Sequence, residues 1–220
     1  GPLMQVLKTE PSPTVFGRSA LALADLGVMD AIWEVLPKMH QTRNIALRRQ
    51  LATAVGNLLG PPSEFYPLLN IELRSPGEGV APQVRRTRGA LRTYAKRMLK
   101  GPSAAEGQQL QVAADHVAVA LEEYEYQKYD LAIQQLYLAG MEVLRALYGF
   151  TRPEDEAVQF ALKQEGRLGV GLWFLQVARQ YAGKRESRDE LLRLDALLGF
   201  HFIYGFAASL ADGNQPSSSR

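Results

Sequence analysis

Apolar positions recur every three to four residues along most of the chain, and alternation at every second residue is nearly absent. Ile45, Leu47, Leu51, Val55, Leu58 and Leu59 show the pattern, which is the signature of helices with one buried stripe. β-branched residues are sparse, and Leu, Ala, Gln, Arg and Glu dominate, all of them strong helix formers. The pattern predicts an all-α fold. Helices are expected over about 15–26, stopped by Gly27, and over 30–38, with Asp30 as the N-cap. Others follow over 44–59, over 63–69 behind Pro61-Pro62, and over 83–100. Further on, helices are expected over 104–125, 127–148, 153–182 with an interruption near Gly166, and 188–210. Ser103 with Glu106, Thr151 with Glu154 and Ser187 with Glu190 have the spacing of capping boxes.

Turn residues divide this series. "RSPGEGVAP", from Arg74 to Pro82, crowds glycine and proline together and marks a boundary. Gly1-Pro2-Leu3 looks like the remnant left by a tag-cleaving protease. The expected organisation is a scar and linker over 1–13, paired short helices over 14–73, a linker over 74–82, a helical bundle over 83–211 and a disordered tail over 212–220. The run from Ala196 to Leu210 is apolar on more than one helical face, through Leu197, Leu198, Phe200, Phe202, Ile203, Tyr204 and Phe206. It falls short of the ~20 uninterrupted apolar residues of a membrane span. It is expected at the centre of the bundle, with Gly199 and Gly205 admitting close neighbours and a homodimer contact as the next expectation. Core positions are also expected at Tyr126, Ile133, Leu136, Leu144 and Leu147.

Composition narrows the chemistry. The 220 residues are 46% hydrophobic and 22% charged with a net charge of +2, ordinary for a globular chain and too neutral to argue for nucleic acid. There is no cysteine, and His40, His116 and His201 lie too far apart for ligand spacing, so neither a metal nor a cofactor is expected. His201 reads as a hydrogen-bonded core residue. "QEGRLGVGLWF" lacks the strand and the Lys-Ser/Thr ending of a phosphate loop, so Gly166, Gly169 and Gly171 read as a helix break or a close helix contact. Glu122, Glu123 and Glu125 read as a solvated face rather than a divalent-ion site. No nucleophile–base pair can be assembled, and a non-catalytic role is expected.

One stretch is strongly polarised. "VRRTRGALRTYAKRMLKG" carries Arg85, Arg86, Arg88, Arg92, Lys96, Arg97 and Lys100 without an acid, while Val84, Leu91, Tyr94, Ala95 and Met98 line another face. Arg85, Arg88, Arg92 and Lys96 are the candidate contact residues for an acidic protein or an anionic membrane surface, with nucleic acid the lesser alternative. A plain solvated face is the competing reading.

The first third of the chain repeats itself. Ala22, Asp25 and Leu26 match Ala54, Asn57 and Leu58, and one residue of slip places Ile32, Trp33, Val35 and Leu36 over Phe65, Tyr66, Leu68 and Leu69. The period is about 32–33 residues with two short helices per unit, as in stacked solenoids. "GRSALALADLG-VMDAIWEVLP" followed by "HQTRNIALRRQLATAVGNLLG" resembles HEAT repeats over about 14–69. The resemblance implies an outer helix marked by Pro37 and an inner helix whose arginine is Arg48 or Arg49. It also implies an array entered without the first outer helix, as part of a longer protein. A DNA-reading helix at Arg43, Arg48 and Arg49 is the rival, but the aliphatic second helix leaves few side chains for bases. "ALEEYEYQKYDLAIQQLYLAGMEVLRAL" loosely resembles tetratricopeptide and HEPN helical hairpins. A HEPN-like ribonuclease or nucleic-acid-binding module is therefore the alternative function. That family's arginine-x4-histidine pattern is missing, because no histidine here has an arginine five positions before it. The array-plus-bundle layout is similar to soluble C-terminal extensions of bacterial major-facilitator-type transporters. It implies a regulatory or protein-interaction module, cytoplasmic and tethered through a parent membrane segment.

Overall fold

The computed structural model describes residues 1–9, 12–99, 104–149, 154–164 and 166–211. Among these residues eleven α-helices and one 3-10 turn account for the regular structure, and no strand occurs, as the periodicity predicts. The helices are α1 (Pro2–Thr9), α2 (Pro13–Asp25), α3 (Ile32–Gln41), α4 (Ile45–Leu59), α5 (Phe65–Arg74) and α6 (Val80–Leu99). They continue as α7 (Ala104–Glu125), α8 (Tyr129–Tyr148), α9 (Glu154–Gln164), α10 (Gly166–Ala182) and α11 (Glu190–Ala211).

Local chemistry sets most of the ends. Asn44 Oδ1 accepts the Leu47 N–H at 3.1 Å and opens α4. Gly27 sits at φ +69°, and the N–H groups of Gly27 and Val28 return to the carbonyls of Ala24 and Leu23, closing α2 as expected. Four expectations need correction. Residues 2–9, expected to be scar and linker, form α1, which buries Leu7 and packs on α2 and α3. Asp30 is inside the 3-10 turn Met29–Ala31 rather than capping a helix. At the start of α11 it is Asp189 Oδ1, not Ser187, that accepts a backbone N–H, from Leu191 at 2.7 Å. Tyr126 is 72% exposed, because it falls in the turn where Gln127 takes φ +59°. The Ser103 and Thr151 caps and the 212–220 tail lie outside the described residues.

The helices share one hydrophobic core, running from Leu7 to Leu210. At its centre is α11, which packs against α4, α6, α8 and α10. It is the one helix among the described residues long and apolar enough to cross a membrane, and 78% of that window is buried inside the protein. Glycine makes the approaches possible. A Cβ at Gly205 would meet Pro61 Cδ at 2.7 Å, and one at Gly171 of α10 would meet the Phe202 ring at 2.1 Å. Ala54 and Leu58 are buried in α4, which packs on α2 and α3. Asn57 and Asp25, the matched pair 32 residues apart, are hydrogen-bonded at 2.9 Å. Asn57 Oδ1 also accepts the Ser63 N–H at 3.1 Å, which holds Ser63 at φ +66°.

Candidate interaction surface

Helix α6 buries Val84, Thr87, Leu91, Tyr94 and Ala95 against α7 and α11. Arg85, Arg88, Arg92 and Lys96 fall within about 80° of one another around the helix at 3.6 residues per turn. They flank the side that faces α7. Arg85, Arg92 and Lys96 are exposed and Arg88 is half-buried. Asp115 of α7 faces them, 3.1 Å from Arg92 and 4.0 Å from Arg88, and is itself 67% exposed. Ion pairs this open to water contribute about 0–1 kcal/mol. They hold the side chains in place only weakly.

The other cations of α6 have separate work. Arg86 donates to the Tyr204 hydroxyl at 3.3 Å and stands 5.1 Å from that ring's centroid. Arg97 donates to the Ala211 carbonyl at the end of α11, where the helix dipole favours a cation. The sequence pattern did not separate these two from the four on the α7 side, because only the placement of α11 does so. Lys100 lies outside the described residues.

The remaining sequence candidates are structural. Arg48 Nε donates to the Thr42 carbonyl at 2.7 Å, and Arg49 pairs with Glu190 of α11 at 2.9 Å, so both tie α4 to its neighbours. His116 bonds Gln135 at 2.7 Å. His201 is buried with Nδ1 3.3 Å from Gln83 Nε2, and burial pushes its imidazole down to about 4. Glu123 pairs with Lys128, and no group of metal-ligating side chains occurs among the described residues.

Two buried polar clusters escaped the sequence reading. Glu72 of α5 is fully buried, and its carboxylate accepts the N–H groups of Gly77, Gly79 and Val80 at 2.8–2.9 Å. The Tyr124 hydroxyl donates to it at 2.8 Å, and Arg193 of α11 donates to the Glu72 carbonyl and to Tyr124. Burial pushes the Tyr124 phenol up, which keeps it a donor. Proline and glycine in 75–79 were visible in the sequence, but not the carboxylate that organises them. His40 of α3 lies 3.3 Å from Asp195 of α11 and stacks on Tyr181 at 4.4 Å. Burial pushes the Asp195 carboxyl up, and His40 pulls it back down. His40, Asp195 and Glu72 are closed to solvent, while Tyr124 also lines a cleft with Gly77, Ala81 and Tyr129. The chain matches no family model, no curated protein and no solved structure.

Proposed function

We propose that this chain is a non-catalytic docking module, part of a longer cytoplasmic or membrane-tethered protein, whose α6 face engages an acidic protein partner. The observation that carries the reading is the row of exposed Arg85, Arg92 and Lys96 with half-buried Arg88, which has Asp115 as its one ion-pair partner among the described residues. An acidic segment laid along α6 would neutralise four cations while displacing only water and the two weak contacts of Asp115. The paired helices α1–α4 supply a rigid support. The Asp25–Asn57 bond between positions one period apart favours a stacked, HEAT-like register there.

The test is binding of poly-glutamate to the whole chain at about 20 mM and about 200 mM salt, where screening lengths differ roughly threefold. Binding is expected at low salt, is expected to weaken steeply at the higher, and is expected to vanish when Arg85, Arg88, Arg92 and Lys96 are all changed to Gln. Absence of binding at low salt would overturn the proposal. Tighter binding to phosphatidylserine vesicles or to duplex DNA would replace the acidic protein with a membrane or a nucleic acid. Leu99, exposed beside Lys96, makes the membrane the first of these to compare.

A further inference from the structure

Two turns meet beside the Glu72 knot. In the one between α5 and α6, Glu72 holds the N–H groups of Gly77, Gly79 and Val80, and Gly77 takes φ +89°. In the one between α7 and α8, Gln127 takes φ +59°, and the N–H groups of Gln127 and Lys128 return to the carbonyls of Tyr124 and Glu123. A cleft of about 370 Å³ lies between them, lined in part by Glu78, Glu125, Tyr124 and Tyr129. That volume is within the range of about 300–1,000 Å³ typical of small-ligand sites. A Cβ at Gly77 would lie 3.7 Å from Glu125 Oε1, so the Glu125 carboxylate reaches toward the opposite turn.

The lining is acidic and aromatic. Glu78 and Glu125 are exposed, and neither has an ion-pair partner among the described residues. No lysine or arginine lines the cleft. The cations beside it are engaged elsewhere, Lys128 with Glu123 at 3.4 Å and Arg193 with the Glu72 carbonyl and the Tyr124 hydroxyl. The Tyr124 and Tyr129 rings lie 5.2 Å apart between centroids. Such rings attract a cation that comes within about 6 Å of a ring centroid.

Tyr129 points independently to a ligand. It is 7% exposed, yet its hydroxyl has no hydrogen-bond partner among the described residues. A tyrosine hydroxyl this deep ordinarily finds one. The oxygen is not sealed from solvent, and burial pushes the phenol up, so it stays neutral and can accept a hydrogen bond. An anion would be repelled by both carboxylates. A metal ion would find no group of three ligating side chains among the described residues. An ammonium carries three donors and one positive charge, which match two carboxylates and a phenol oxygen.

We propose that the cleft between the α5–α6 and α7–α8 turns binds an aliphatic ammonium ion. Its N–H groups donate to Glu78, Glu125 and the Tyr129 hydroxyl, and its alkyl stem lies against the two tyrosine rings. A free polyamine and the lysine side chain of a partner both present this group. The cleft shares no residue with the α6 row and takes a ligand of opposite charge, so either reading stands without the other.

The experiment titrates the whole chain by calorimetry with putrescine and with N-acetyl-lysine methylamide, each up to about 10 mM in about 150 mM salt. At least one is expected to bind with Kd below about 1 mM. Tighter binding of putrescine identifies a free polyamine as the source, and tighter binding of the lysine derivative a protein side chain. Butane-1,4-diol, of the same length without charge, is expected not to bind. Glu78→Gln with Glu125→Gln is expected to abolish binding, and Tyr129→Phe to weaken it about threefold to tenfold. Glu122→Gln, an exposed acid of α7 outside the cleft, is expected to leave it unchanged. Should a variant unfold, the comparison of amine with diol on the unaltered chain decides alone. No binding of either amine overturns the proposal. So does equal binding of the diol, or undiminished binding by the folded cleft variants.

Discussion

Two of the seams between the first five helices and α11 each bury a carboxylate. At the α5 seam, Glu72 meets three backbone N–H groups, the Tyr124 hydroxyl and, at 3.9 Å, Arg193. At the α3 seam, Asp195 has His40 at 3.3 Å and no well-formed hydrogen bond on either oxygen. Both acids are fully buried, and Arg193 and Asp195 are two residues apart on one helix. The difference lies in the number of donors. A buried charge costs several kcal/mol of lost hydration, and only a full set of donors offsets it. The α5 seam is a closed polar knot that fixes the 75–79 turn. The α3 seam is held by the apolar packing around it, and its polar pair adds little.

The comparison predicts unequal responses to the same isosteric change. Glu72→Gln removes the charge and turns an amide toward N–H groups that need acceptors. We expect it to lower stability by about 3–5 kcal/mol, measured as a shift of the urea midpoint. A loss under about 1 kcal/mol would erase the distinction between the seams.

His201 tests the same helix by acid. Its folded value of about 4 lies below the ordinary 6.5 of a free imidazole, because burial disfavours the cation. Between those values the unfolded chain binds more protons, so stability held above about pH 6.5 falls as pH drops toward 4. The loss reaches about 3 kcal/mol at pH 4. His201→Gln should flatten that part of the profile. An unchanged slope in the variant would place the acid sensitivity elsewhere.

The smallest effect is expected at the second seam. The Asp195 carboxyl is held above its usual range, so its folded form favours the proton. That contribution is present at low pH and is lost as pH rises through the folded value. Asp195→Asn at neutral pH should therefore change stability by less than about 1 kcal/mol, in either direction. A large loss in the thermal or urea midpoint would show that the His40 pair is a strong contact after all.

Much of the fold was legible beforehand, because it depends on local spacing. The bounds of α7 and the stop at Gly27 follow from residues within one turn of each end. The all-round apolar character of 196–210 favoured a central helix, and α11 is one. The α6 cations were legible as a set. The helix over 2–9 was not read, because the burial of Leu7 that anchors it needs α2 and α3 in place.

The sequence by itself therefore determined most of the helices, several of their ends and the apolar faces, since each is set by interactions within a few residues. Tertiary structure alone decided which polar residues meet. Glu72 and Arg193 are 121 positions apart, and Arg49 and Glu190 are 141. Glu78 and Tyr129 line one cleft only because the turn before α6 meets the turn before α8. Such pairings carry no periodic signal, because a hydrogen bond depends on distance and direction in space and not on separation along the chain.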